Sequence, residues 1–464
     1  MHNWNRRKTL GVEDFASEQR LRPTLSWWHL VALGVGAIVG TGIYTLVGIG
    51  ANLAGPSVVL SFAIAGAVCA CAALCYAEVA TIIPASGSAY TYSYVVIGEM
   101  IAWIVGWSLI LEYSLVVSAV AVGWSGYVSG FLLTLGVPLP VSMTAGPYAG
   151  GVINVLAVFI VFAVAGLLTL GTKESALINT ILVFVKVIAL ILFVVVALPH
   201  FDMAQFKPFM PYGFVSHEID GVQHGVMAAA AIIFFAFYGF DAISTAAEET
   251  KNPDRDLPIG IIGSMVICTL LYVGVAAVAI GSMPYTVYAN SPEPLALILR
   301  SLGQGKVAAI IGAAAIIALP TVILAFLFGQ SRIFFVMARD GLLPAGLARV
   351  SPRTGAPTRM ILGTAVIVSV LAGIVPLDAI AALANAGTLV AFIAVALCML
   401  IMRRREPNRK RIFSTPLPWI VGPLAIGGCL YLFWSLPRTT QLFFLGWNVI
   451  GVLLYIVIGN RKKT

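Results

Sequence analysis

The feature that most constrains this chain is its succession of long apolar runs separated by short polar connectors, each long enough to cross about 30 Å of hydrocarbon as a helix. Twelve runs are read, at 27–51, 57–83, 99–131, 151–170, 176–198, 225–249, 258–284, 304–335, 359–375, 380–403, 417–434 and 441–459. The third and eighth are overlong, so they should tilt or extend past the membrane. With 60% hydrophobic and 10% charged residues, a soluble fold could not hide this apolar surface, because much of any globular surface stays wet. The expected fold is therefore an all-α integral membrane protein with twelve transmembrane helices in a lipid bilayer. The polar stretch Met1–Arg22 and the long first run do not fit a cleavable signal peptide.

Lys and Arg set the orientation. An even number of spans puts both termini on one side. On that side fall 22 of the 27 basic residues, from Arg6, Arg7 and Lys8 through the Arg403–Arg411 cluster to Lys463. Lys207, Arg300, Lys306 and Arg438 fall opposite, and Lys186 lies inside a span. The termini are read as cytoplasmic and the location as the cell (inner) membrane. The net charge of +8 is confined to clusters beside apolar runs, which excludes a nucleic-acid partner.

Two runs contain residues that a plain helix avoids. The first reads Gly34-Val-Gly-Ala-Ile-Val-Gly-Thr-Gly42, and the sixth Phe234-Phe-Ala-Phe-Tyr-Gly-Phe-Asp241. Glycine costs about 1 kcal/mol relative to alanine inside a helix. Gly36 and Gly40 also fit a small-x-x-x-small packing stripe. The alternative is an unwound segment around Gly40, tolerated in a bilayer only where it is protein-buried or lines a cavity. Its freed N–H groups at a half-helix N-terminus would hold a carboxylate, and its freed carbonyls an ammonium. A zwitterionic amino acid satisfies both. If five spans make one repeat, the two interruptions are equivalent, which points to a transporter site.

An ionisable residue in hydrocarbon calls for a reason. Lys186 lies midway along the fifth run. Desolvation disfavours the charged form of an ammonium, so Lys186 is a candidate carrier of a coupling proton; the alternative is a fixed cation tying two helices. Glu112 in the third run is read three ways: a proton site, a selector for cationic side chains, or a hydrogen-bonded structural acid. Asp241 follows the sixth-run break and is a candidate gate residue. Glu78, Glu248 and Glu249 are read as solvated or ion-paired rather than as an inner gate, and His29 as interfacial. Phe235 and Tyr238, three apart, can share a helix face.

No G-x-x-x-x-G-K-[ST], H-E-x-x-H or partnered G-x-S-x-G is found, so neither an ATP motor nor an enzyme is expected. The six cysteines lie in apolar stretches without C-x-x-C or a nearby histidine and read as packing residues. No metal or cofactor is expected.

Gly36-Ala-Ile-Val-Gly-Thr-Gly-Ile-Tyr44, Tyr76-Ala-Glu-Val, Pro84-Ala-Ser-Gly-Ser-Ala-Tyr-Thr-Tyr92 and Gly239-Phe-Asp-Ala-Ile-Ser-Thr-Ala-Ala-Glu-Glu249 with Lys251-Asn-Pro253 resemble the signature of the amino acid–polyamine–organocation superfamily. Gly106-Trp-Ser-Leu-Ile-Leu-Glu-Tyr113, Arg332–Pro344 and Ala386–Phe392 resemble its cationic amino acid transporter family, in a bacterial member. The resemblance implies a 5+5 inverted repeat (spans 1–5 and 6–10) with broken spans 1 and 6, two peripheral helices, and alternating access. It implies that Thr41 and Gly42, beside Gly40, donate to a substrate carboxylate. It implies that Ile38, Phe235, Ala236 and Tyr238 surround the ammonium, with Phe235 as an aromatic lid. Lys186 matches a span 5 lysine that occupies a sodium position in some sodium-independent relatives. Tyr238 is bulkier than the aliphatic residue expected there, which leaves the pocket size open. Bacterial members of this kind can carry neutral amino acids.

The segments are then 1–26, a cytoplasmic N-terminal segment; 27–403, the inverted-repeat transport core; 404–459, peripheral helices 11 and 12; and 460–464, a cytoplasmic C-terminus. The expected function is secondary active amino acid transport, as proton symport, with an amino acid or polyamine exchanger as the alternative. The partners are an amino acid, protons and the bilayer, with room for a small membrane partner subunit.

Overall fold

The computed structural model describes residues 7–8, 25–83, 87–170, 175–247, 250–344 and 358–461. Most of them are helical. Eight helices or helix pairs among the described residues are long and apolar enough to cross a membrane. Four shorter apolar helices, Trp27–Ile38, Val155–Thr169, Thr358–Ile374 and Pro418–Trp434, join them.

Burial separates the centre of the bundle from its rim. The most apolar window of Val226–Ser244 is 94% buried and that of Glu99–Leu133 78%, whereas Arg438–Val457 reaches only 22%. The central helices are therefore wrapped by protein, and the rim presents its apolar side chains outward, as a bilayer solvent permits. Pro253–Ser282 packs against both Val58–Ile82 and Trp27–Ile38, and Leu377–Arg405 and Pro320–Arg339 pack against Glu99–Thr134.

Two details depart from the sequence reading, and a third refines the break expected in the first run. The chain is not entirely α: His217–Ile219 and Val222–His224 form an antiparallel ribbon. Its turn residues Asp220 and Gly221 both have positive φ (51° and 81°), the conformation that a two-residue Asp-Gly hairpin turn requires. The run expected at 304–335 is two helices, Gly305–Ala318 and Pro320–Arg339, because Pro320 brings no N–H to continue the ladder. The first run is three helical pieces, Trp27–Ile38, Thr41–Tyr44 and Leu46–Ala54.

At one end of the bundle, Glu78 is buried among cations. Arg403 donates to both carboxylate oxygens (2.9 and 2.6 Å), Arg411 donates at 3.1 Å, and the Thr415 amide at 2.8 Å. This is the ion-paired arrangement read for Glu78. Glu248 and Glu249 lie outside the described residues. His29 meets the Ser26 hydroxyl at 2.8 Å at the start of its helix. The six cysteines are free thiols, all buried except the half-buried Cys71.

Candidate functional site

Trp27–Ile38 stops because Val39 and Gly40 adopt extended backbone (Val39 ψ 94°, Gly40 φ −144°), and the helix restarts at Thr41. The second interruption runs through a 3₁₀ turn at Phe234–Phe237, an extended Tyr238 (ψ 157°) and Gly239 at φ 112°, before Phe240–Thr245 resumes. The two breaks cross in direct contact. A Cβ on Gly42 would collide with the Ala236 backbone, and one on Gly239 would lie 2.8 Å from the Ala37 carbonyl carbon. Glycine is thus required at both positions, by close approach at Gly42 and by approach and positive φ at Gly239.

Broken helices leave carbonyls without ladder partners, which is costly inside a membrane protein. Here side chains from four other segments take them. Lys186 Nζ donates to the Gly36 carbonyl (2.8 Å), and the Tyr272 hydroxyl to Ile38 (2.8 Å). The Tyr127 hydroxyl donates to Tyr44 (2.6 Å), and Asn385 Nδ2 to Ala231 (2.5 Å) and Ile232 (3.1 Å). The donors at the restart are left over. The amides of Thr41 and Gly42 find no acceptor among the described residues, and the buried Thr41 hydroxyl has no partner.

These donors border a cavity of about 10 Å³, room for about one water. Ile38, Gly40, Thr41 and Gly42 form its backbone side. Val116, Val120, Val322 and Phe326 form an aliphatic and aromatic wall, and Phe235 and Tyr238 also line it. The Phe235 and Tyr238 rings sit 5.1 Å apart, on one side of the break.

Of the residues singled out in the sequence, Ile38, Gly40, Thr41, Gly42, Phe235 and Tyr238 line the cavity. Ala236 stands behind it, against Gly42. Lys186, Glu112 and Asp241 do not line it. Lys186 is fully buried on the Gly36 carbonyl. Asp241 accepts from the Tyr113 hydroxyl (3.0 Å) and the Gly239 amide (3.2 Å), which places it as a clamp on the second break. Glu112 lies on the helix face that carries Val116 and Val120, at four-residue spacing. The Thr388 hydroxyl lies nearby, but its hydrogen bond goes to the Ala384 carbonyl at 3.3 Å. By geometry neither Glu112 oxygen has a partner.

Sequence reasoning passed over the wall residues Val116, Val120, Val322 and Phe326, and the carbonyl caps Tyr127, Tyr272 and Asn385. Val116 and Val120 carried a signal, because they repeat every four residues from Glu112. So did Asn385, an amide within an apolar run. Nothing in the sequence told Tyr272 from any other tyrosine in a span. No cluster of three metal-ligating side chains occurs among the described residues.

The family model described as amino acid permease matches residues 25–459. The branched-chain amino acid permease of Bacillus subtilis is 44% identical, over 97% of this chain and 95% of that protein. The methylthioribose transporter of Bacillus subtilis is 39% identical, over 99% and 98%. The vacuolar cationic amino acid transporter 4 of Arabidopsis thaliana is 38% identical, over 84% of this chain and 64% of that protein. With a family match over nearly its whole length and relatives aligned end to end, the chain belongs to the amino acid permease family of the amino acid–polyamine–organocation superfamily.

Proposed function

We propose that the protein is a secondary active transporter that carries a neutral amino acid with an apolar side chain across the cell (inner) membrane, by alternating access, with a proton as the coupling ion. The observation that carries this reading is the cavity between the two broken helices. Unpaired donors at Thr41 and Gly42 stand on one side of it, and Val116, Val120, Val322 and Phe326 on the other. The donors suit a carboxylate, because hydrogen bonds to a charged acceptor are worth about 1.5–3 kcal/mol each. The ammonium would lie against the carbonyls of Ile38, Phe235, Ala236 and Tyr238. The wall suits an aliphatic side chain, since a charged one would be desolvated there without a partner. Among the described residues no acidic side chain lines the cavity. The name of the branched-chain permease relative agrees with this chemistry.

A cavity with room for only about one water admits a substrate only when the surrounding helices part, as alternating access requires. The proposed architecture is twelve crossings in a 5+5 inverted repeat with two peripheral helices, supported by the eight long and four shorter apolar helices. Cytoplasmic termini are supported by the Lys and Arg distribution. Lys186, buried on the half-helix that borders the cavity, is the proposed proton carrier.

The test is uptake of labelled leucine into proteoliposomes under an inward proton gradient. Gradient-driven accumulation is the expected result. Uptake that requires preloaded substrate and ignores the gradient would overturn symport in favour of exchange. Absence of both binding and flux for every neutral amino acid would overturn the reading itself.

A further inference from the structure

The hydroxyl of Tyr238 donates to Asn385 Oδ1, and both residues are buried. Asn385 is anchored in turn, because its Nδ2 donates to the carbonyls of Ala231 and Ile232 in the turn that leads into the second break. The tyrosine ring is therefore tied to the helical turn that precedes its own interruption. Phe234 packs against it at 5.6 Å and Phe235 at 5.1 Å.

Tyr238 lines the cavity together with Val116 and Val120. Glu112 is one helical turn beyond Val116 on the cavity-facing side of Glu99–Thr134, and Gly387, two residues from Asn385, packs on its Cβ. It is fully buried with both carboxyl oxygens unpartnered, which in a native interior calls for a physical explanation. The other acid nearby, Asp241, is already engaged by Tyr113 and the Gly239 amide.

We infer that the Tyr238–Asn385 hydrogen bond is a selectivity latch. It holds the tyrosine ring between the apolar pocket and Glu112, so neutral side chains are accepted and cationic ones are shut off from the one carboxyl able to receive them. Asn385 acts here as a positioning residue, through Tyr238. The inference rests on the neutral amino acid site proposed above and deepens it. With the ring released, a guanidinium or ammonium entering past Val116 reaches Glu112 and gains a charge-assisted hydrogen bond.

The experiment measures binding of leucine and arginine, by thermal shift and by competition against labelled leucine, for wild type, Tyr238→Phe, Tyr238→Leu, Asn385→Ala, Tyr238→Phe/Asn385→Ala and Tyr238→Leu/Glu112→Gln. The expected result is a leucine-over-arginine preference that falls by at least about tenfold in Tyr238→Leu, the effect of gaining one hydrogen bond to a charged group. Tyr238→Phe, which keeps the ring, should shift it in the same direction. Asn385→Ala should do likewise, with no additional shift in the double variant, since both single changes remove one shared bond. Glu112→Gln should cancel the gain for arginine. An unchanged preference in the tyrosine variants, or a gain for arginine that survives Glu112→Gln, overturns the latch. A wild type that binds neither amino acid overturns instead the site on which the latch rests. A structural role alone would lower stability in Tyr238→Phe and leave the preference untouched, which also overturns the inference.

Discussion

Lys186 touches both sides of the break in the first helix. Its ammonium donates to the carbonyl of Gly36 at 2.8 Å, just before the break, and its own carbonyl accepts from the Tyr44 hydroxyl at 3.1 Å, just beyond it. Lys186 thus bridges the two pieces of the first run that flank the pocket.

Lys186→Ala should therefore abolish proton-gradient-driven accumulation of leucine while leaving leucine counterflow at zero gradient measurable. Lys186→Arg, which stays protonated at all accessible pH, should behave the same way. Uptake into proteoliposomes at several internal and external pH values checks both. Full accumulation by either variant would remove Lys186 from the coupling mechanism.

Thr41→Val keeps the volume of the side chain and removes the one buried hydroxyl at the restart of the helix that has no partner. If that hydroxyl meets the substrate carboxylate, its loss should weaken leucine binding by about 1.5–3 kcal/mol, roughly tenfold to a hundredfold in Kd. Equilibrium binding to purified protein measures this. An unchanged Kd would place the carboxylate elsewhere.

Gly42→Ala should damage binding although it adds a single methyl, because the new Cβ meets the Ala236 backbone, which cannot rotate away. Overpacking of this kind costs about 1–3 kcal/mol. Gly166→Ala, with nothing near its added Cβ, is the control. The expected outcome is lost leucine binding in the first variant and wild-type melting and binding in the second.

Glu78→Ala would leave Arg403 and Arg411 facing each other without the carboxylate they share. Breaking a buried ion pair from one side costs about 3–5 kcal/mol, so the melting temperature in detergent should fall sharply. Glu78→Gln should fall less, because the amide oxygen can still accept from an arginine. Equal melting of all three proteins would show the cluster to be energetically idle.

The sequence by itself determined the membrane-spanning helical class, the family, and the two places where a helix would fail. These are local properties. Run length against bilayer thickness, four glycines within nine residues from Gly34, and the Phe-Tyr-Gly-Phe stretch before Asp241 act on their own segments, whatever surrounds them. The Asp220-Gly221 turn was equally local, but its two three-residue strands sit in a polar connector that gives no apolar alternation to mark them. Only the tertiary structure decided which segments supply the pocket wall and which side chains take the freed carbonyls. Tyr127, Tyr272 and Asn385 look like ordinary residues of ordinary spans until the helices pack. Their roles depend on where a hydroxyl or amide from a distant helix ends up relative to a broken turn. The same holds for the partners of Asp241, the Tyr113 hydroxyl and the Gly239 amide. Hydrogen bonds between segments far apart in the chain are set by packing direction and helix rotation, and no spacing within one segment encodes them.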